Sequence, residues 1–176
     1  VGLPNRGAER EADLLAEAKE ALKPLAVPLI ASIFGGTPEE FARVAETILR
    51  AHPDILELNI SCPNVHDDFG EPFAASCAGA ASVVEAVRPA CDVPLFVKLA
   101  PNVPNIGRIA ANVVACGADG ITAINTMPGM VIDVESGHPV LTNKSGGLSG
   151  PAIKPIAGRC IYEIAKAVPD VPIIGT

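Results

Sequence analysis

The sequence has no tryptophan and a single tyrosine, and aromatic residues make up only 3% of its 176 positions. Stacking platforms for bases or sugars are therefore scarce. Positive charge is also short: 13 Lys and Arg stand against 20 Asp and Glu, for a formal net charge of -7. Such a chain repels nucleic acid and anionic lipid, so neither is an expected partner. A small anionic ligand would need local positive charge or helix N-termini to hold it. No apolar run is long enough to cross a bilayer, so no membrane association is expected. No charged-then-apolar leader with a small-residue cleavage site opens the sequence, which points to a cytoplasmic location. Cys62, Cys77, Cys91, Cys116 and Cys160 contain no C-x-x-C pair. That odd, scattered set argues against a disulfide framework or a zinc knuckle. The last four read as small buried hydrophobes. No His, Asp or Glu spacing suggests a metal.

What is present is one motif repeated: a short apolar run, a turn, then an amphipathic helix. The runs Val27–Phe34, Ile55–Ile60, Val93–Leu99, Gly120–Ile124 and Val171–Ile174 are bounded by turn residues, as in strands buried on both faces. Thr37-Pro38-Glu39-Glu40 forms a capping box with Pro at the first helical position. Phe41, Val44, Ala45, Ile48 and Leu49 then make one apolar stripe. Ser76 caps a helix carrying Val83, Val84 and Val87. Pro104 opens another that ends near Gly117, and Pro151 opens one with Ile153, Ile156, Cys160, Ile161 and Ile164. Residues Ala8–Leu25 are helical by the same reasoning. Strand–helix alternation without hairpins implies parallel strands and right-handed crossovers. An open doubly wound sheet and a closed barrel both satisfy this. The absence of G-x-G-x-x-G after any strand favours the barrel.

The stretch Thr126–Ser145 breaks the rhythm. Its segments Val131–Val134 and Pro139–Leu141 are expected to pair as a small hairpin. An excursion at the C-terminal end of a strand is where a barrel enzyme builds its site.

Polar residues gather at the strand ends: Ser32, then Asn59 with Ser61-Cys62-Pro63-Asn64, then Lys98, then Asn125-Thr126. Lys98 lies within Phe96-Val97-Lys98-Leu99, and a lysine in such a strand calls for an anionic partner. Asn59 and Asn125 each offer two donors and an acceptor, suited to a flat heterocycle with carbonyl and N–H groups. Cys62 has a thiol whose pKa lies nearer neutrality than that of a serine hydroxyl, so it can act as nucleophile or base. His66, four residues on, opens a Cys–His hydrolase reading, but no oxyanion loop or orienting acid accompanies it. His52 and His138 read as surface or loop residues. Gly146-Gly147-Leu148-Ser149-Gly150-Pro151 is a flexible turn that delivers backbone N–H groups at a helix start, suited to an anion or a flat cofactor.

These residues carry a resemblance. Leu58-Asn59-Ile60-Ser61-Cys62-Pro63-Asn64-Val65 resembles the catalytic-loop signature of class 1 dihydroorotate dehydrogenases. Val97-Lys98-Leu99-Ala100-Pro101-Asn102, Ile124-Asn125-Thr126 and Gly147-Leu148-Ser149-Gly150-Pro151-Ala152 resemble later family motifs in the same order, and Gly2-Leu3-Pro4-Asn5 resembles the end of the substrate loop. The resemblance implies a (β/α)8 TIM barrel, with residues 1–176 as the central part of a single FMN-binding domain, about five βα units long. By the same resemblance, an FMN-binding lysine precedes Val1 and a Gly-Gly phosphate loop follows Thr176. The 176 residues alone are then expected to hold FMN weakly and to fold poorly, because open barrel edges expose unpaired backbone groups.

The implied reaction is oxidation of dihydroorotate to orotate in pyrimidine (UMP) biosynthesis. Cys62 would be the base that removes the C5 proton while hydride leaves C6 for FMN. Asn59 would touch cofactor and substrate, and Lys98 would face the flavin near N1. Ile124 and Gly150 would approach FMN through the backbone. Gly2, Leu3, Asn64, Asn125 and Thr126 would bind the substrate. Ser32 stands where the family often has an FMN-binding asparagine. The second class of the family has serine at the position of Cys62, so the thiol points to class 1. Homodimerisation is implied, as is pairing with an iron–sulfur/FAD electron-transfer subunit in the NAD-linked type; the fumarate-linked type is the alternative acceptor. Dihydropyrimidine dehydrogenase shares the barrel and the cysteine but usually differs at Asn64. A non-catalytic flavin- or phosphate-binding barrel is the remaining alternative.

Overall fold

The computed structural model describes residues 5–61, 73 and 76–176. Helix α1 (Ala8–Leu22) leads through a single 3-10 turn at Lys23–Leu25 into strand β1 (Ile30–Ile33). Pro24 has no N–H to continue the helix, and Ala26 caps the turn in the left-handed region at φ 52°. There follow α2 (Pro38–Leu49), β2 (Ile55–Asn59), α3 (Cys77–Val87), β3 (Leu95–Leu99), α4 (Ile106–Ala115) and β4 (Gly120–Ala123). Two short strands, β5 (Met127–Gly129) and β6 (Gly146–Leu148), precede α5 (Lys154–Ala167) and β7 (Ile173–Gly175).

The sheet runs β1-β2-β3-β4-β7, and every neighbouring pair is parallel. Helices α1 to α5 pack against one another in chain order. This is the curved wall of a barrel, with strands inside and helices outside, and not the two-sided sheet of a doubly wound fold. One face of each strand supplies the core. Leu56, Leu58, Leu95, Val97 and Ile121 are fully buried, as are Phe41, Val83, Val84, Val87 and Val113 from the helices. The opposite face, reached by stepping one residue along each strand, is where the polar residues lie.

Local chemistry explains most helix starts. Thr37 accepts from the Glu40 N–H at 3.1 Å, with Pro38 in the first turn. The Glu40 carboxylate reaches back one residue further than a capping box requires, accepting from the Gly36 N–H at 2.6 Å. Ser76 accepts from the Gly79 N–H at 3.0 Å, as expected. Three expectations need correction. The helix assigned to Pro104 is capped by Asn105, whose side chain accepts from the Arg108 N–H at 2.9 Å, because proline carries no side-chain acceptor. Pro151 opens a 3-10 turn, Pro151–Ile153, and α5 itself begins at Lys154. Cys77 and Cys116 are only half-buried, whereas Cys91 and Cys160 are buried as expected.

The excursion after β4 is an antiparallel arm. Its ladder is β5 with β6, so Gly146-Gly147-Leu148 is a strand before it is a turn. The expected hairpin inside it shrinks to a single bridge between Ile132 and Pro139, flanked by Asp133 N–H to His138 O and Val140 N–H to Val131 O, each at 2.9 Å. Proline cannot donate to a ladder, which limits the inner pairing. At the tip the Asp133 carboxylate accepts from the Ser136 and Glu135 N–H groups, and these bonds hold its acid below the usual range.

Candidate active site

Two rows of side chains cross the concave face. The lower row is set by the register Ser32–Glu57–Phe96–Gly120. Ser32 Oγ donates to Glu57 Oε1 at 2.7 Å, so these two side chains share that face. The Phe96 ring lies across Gly120, where an added Cβ would sit 2.3 Å from it. The upper row, one pleat nearer the C-terminal ends, is Asn59–Lys98–Thr122.

Above this row the strand ends are tied together. Asn125 Nδ2 donates to Ser61 Oγ at 2.8 Å and lies 3.4 Å from Asn59 Oδ1. Ser61 Oγ donates in turn to Asn59 Oδ1 at 3.1 Å. Asn125 Oδ1 accepts from the Thr126 N–H at 2.9 Å, and the Asn125 N–H donates to Leu99 O at 2.9 Å. Asn125 is thus fixed through its backbone and both ends of its amide. The Asn59 Nδ2 group is left without a described partner. Lys98, half-buried, likewise makes no hydrogen bond or ion pair with a described residue. The Thr122 hydroxyl is buried with no partner among the described residues. A cation, an amide N–H2 and a hydroxyl on one concave face, none with a partner among the described residues, describe a place for a polar, electron-rich ligand.

The remaining expected residues fall as follows. Ile124 is 3% exposed, and its carbonyl accepts from Thr176 Oγ1 at 2.9 Å. Gly150 is exposed with φ +89°, a conformation that L side chains rarely adopt. Thr126 packs against β6, where a Cβ on Gly147 would lie 2.1 Å from Thr126 Oγ1. Cys62, Asn64, Gly2 and Leu3 lie outside the described residues. Among the described residues no group of His, Cys, Asp and Glu is arranged to hold a metal ion, and no helix is long and apolar enough to cross a membrane. Burial raises the thiol pKa of Cys91 and of Cys160; the Cys116 thiol is raised by burial and by Glu85.

Three residues of this face were not among the sequence candidates. Ser61 was visible only as part of its motif, and Thr122 carried no signal in an apolar strand. Glu57 did carry one: a carboxylate inside Ile55-Leu56-Glu57-Leu58 is as anomalous as Lys98 inside its own strand.

A family model described as dihydroorotate dehydrogenase matches residues 1–176. The dihydroorotate dehydrogenase B (NAD(+)) catalytic subunit of Methanosarcina acetivorans is 47% identical over 175 residues, covering 99% of this chain and 55% of the relative. That of Anoxybacillus flavithermus is 50% identical over 177 residues, with 99% and 55% covered. The chain therefore spans about half the length of the curated relatives it matches. Among solved structures, a Toxoplasma gondii protein assigned as a deoxyribose-phosphate aldolase is similar with TM-score 0.58 at 15% identity, over 92% of this chain and 60% of that one. A Burkholderia cenocepacia protein assigned as a phosphonomutase reaches TM-score 0.51 at 20% identity, with 92% and 60% covered. These two likenesses concern the fold alone.

Proposed function

The chain belongs to the dihydroorotate dehydrogenase family, and from that membership we propose that it forms the central part of a flavoenzyme that oxidises dihydroorotate to orotate for UMP synthesis. The observation that carries this reading is the convergence of Asn59, Ser61 and Asn125 above Lys98 at the C-terminal ends of parallel strands. The donor set fits an FMN ring: a cation and an amide N–H2 without a described partner share the concave face with a buried hydroxyl. When bound, FMN supplies the hydride acceptor.

The protein residues supply the rest. Cys62 takes the C5 proton of dihydroorotate as the C6 hydride departs, so one C–C double bond forms and two electrons leave the substrate. A thiolate suits this role because its conjugate acid titrates within a few units of neutrality. Asn125, held at three points, presents a fixed amide to the substrate ring together with Thr126, Asn64 and the backbone of Gly2 and Leu3. Such pre-set hydrogen-bonding groups need no reorganisation when charge develops. Asn59 reaches both substrate and cofactor. Lys98 would hold the flavin with its ammonium and offset negative charge gained on reduction, and Ile124 and Gly150 would hold it through backbone atoms. Ser32 stands in the lower row with its hydroxyl proton committed to Glu57, and would contribute to the cofactor site through its oxygen lone pairs.

The relatives' names as catalytic subunits of an NAD(+)-linked enzyme support a partner subunit for this chain, which we take to be an iron–sulfur/FAD electron-transfer protein. Met130, Val131, Ile132, Val134, Val140 and Leu141 on the arm are exposed. An apolar surface of this kind supports an assembled state, which we take to be a homodimer in the cytoplasm.

The test uses the complete protein. Cys62→Ser should retain FMN and lose most turnover of dihydroorotate, with the loss greatest at lower pH. An unchanged rate would remove Cys62 as the base. Turnover of dihydrouracil without turnover of dihydroorotate would move the enzyme to the dihydropyrimidine dehydrogenases.

A further inference from the structure

The described strands contain one acidic residue, Glu57, and one basic residue, Lys98. Both lie on the concave face, on adjacent strands, one pleat apart: Glu57 is in register with Phe96, and Asn59 with Lys98. With strands about 4.8 Å apart and a rise of about 3.3 Å per residue, such diagonal neighbours stand roughly 8 Å apart, within reach of long side chains. Glu57 is only 7% exposed, and the single described donor to its carboxylate is the neutral Ser32 hydroxyl. One neutral hydrogen bond does not offset the burial of a carboxylate. The two side chains also do not make a contact ion pair, since Lys98 has no described partner within 4.0 Å. The cation is therefore free to face the upper row while the anion lies beneath it.

We propose that Glu57 is the resident counter-ion of Lys98, a positioning residue held by Ser32 that keeps the ammonium in place on the concave face. This rests on the reading that Lys98 faces the flavin. It assigns the lower row a task distinct from substrate contact. The Glu57 carboxylate compensates the cation before negative charge reaches the ring, and opposes that charge when it arrives. Ser32 acts through Glu57 by fixing which oxygen turns toward β1.

The experiment measures the midpoint potential of bound FMN in the full-length protein, together with urea midpoints. Glu57→Gln removes one negative charge near the ring and should shift the potential to a more positive value. Glu57→Asp keeps the charge and should leave the potential near that of the parent. Lys98→Met should shift it to a more negative value and lower the urea midpoint by stranding the buried carboxylate. Adding Glu57→Gln to Lys98→Met should raise that midpoint again, which a merely structural role for Glu57 would not produce. If Lys98→Met leaves the potential unchanged, Lys98 does not face the flavin and the underlying reading fails. If Lys98→Met lowers the potential while Glu57→Gln leaves it unchanged, the counter-ion role alone is overturned. Should Glu57→Gln lose its flavin, the urea comparison decides: a double variant weaker than Lys98→Met overturns the proposal.

Discussion

Asn125 Nδ2 donates to Ser61 Oγ at 2.8 Å and so joins the chain beyond β2 to the chain beyond β4, with β3 between them. The two residues are 64 positions apart. Their bond spans the end of β3, where the Asn125 N–H donates to Leu99 O, one residue past Lys98. Because Ser61 also donates to Asn59, the three polar groups form a chain in which each orients the next.

Ser61→Ala breaks this chain. Ser61 is 5% exposed, and its loss leaves both amide groups short of a partner. The complete protein should lose about 1–2 kcal/mol of stability, since unsatisfied polar groups cost that much when mostly buried. Urea unfolding should show a lower midpoint with an unchanged slope. An unaltered midpoint would mean that the cluster carries no structural weight.

Gly147→Ala links the arm to the site. The new Cβ would meet Thr126 Oγ1 at 2.1 Å and Thr126 Cβ at 2.6 Å. Thr126 is stiff at χ1 and bonded to Asn125 through its N–H, so the displacement passes to both residues. We expect the KM for dihydroorotate to rise about tenfold, the effect of roughly 1.4 kcal/mol, with FMN content unchanged. A parent-like KM would separate Thr126 from the substrate.

Asp54 ties α1 to the start of β1. Its Oδ2 accepts from Lys19 Nζ at 2.5 Å and from the Leu29 N–H at 2.7 Å. The Lys19 bond first, then the Leu29 bond, hold the acid below its ordinary value of 3.8. A depressed folded-state pKa stabilises the fold at pH above the ordinary value, and that contribution disappears as pH falls through the folded-state value. The parent should therefore exceed Asp54→Asn in urea midpoint at neutral pH, and the gap should close on acidification below about 3.8. Added salt should narrow it, because the pair is partly exposed. A gap that stays constant from neutral to strongly acid pH would rule out this linkage.

Cys160 is completely buried and Cys91 is 6% exposed, with both thiols pushed up by burial. The thiolate is the reactive form, so alkylation of the folded, complete protein at pH near 8 should spare both residues until urea unfolds it. Peptide mapping by mass spectrometry gives the order. Cys62 should react first, and orotate should slow it. Early labelling of Cys160 would contradict the packing of α5 on the sheet.

Local residue order was enough for the alternation of strand and helix, for the caps at Thr37 and Ser76, and for the polar strand ends. These depend on contacts a few residues apart, and on a burial pattern that one strand displays by itself. Lys98 was legible because an ammonium inside an apolar strand has no structural excuse. The pairing of β5 with β6 was not, since Met127-Pro128-Gly129 and Gly146-Gly147-Leu148 have no strand signature and meet only because the arm between them closes. The same holds for Ser32 with Glu57 and for Asn125 with Ser61. Each bond depends on register between strands, and register is settled by how the buried faces pack across the sheet, information that no single segment contains.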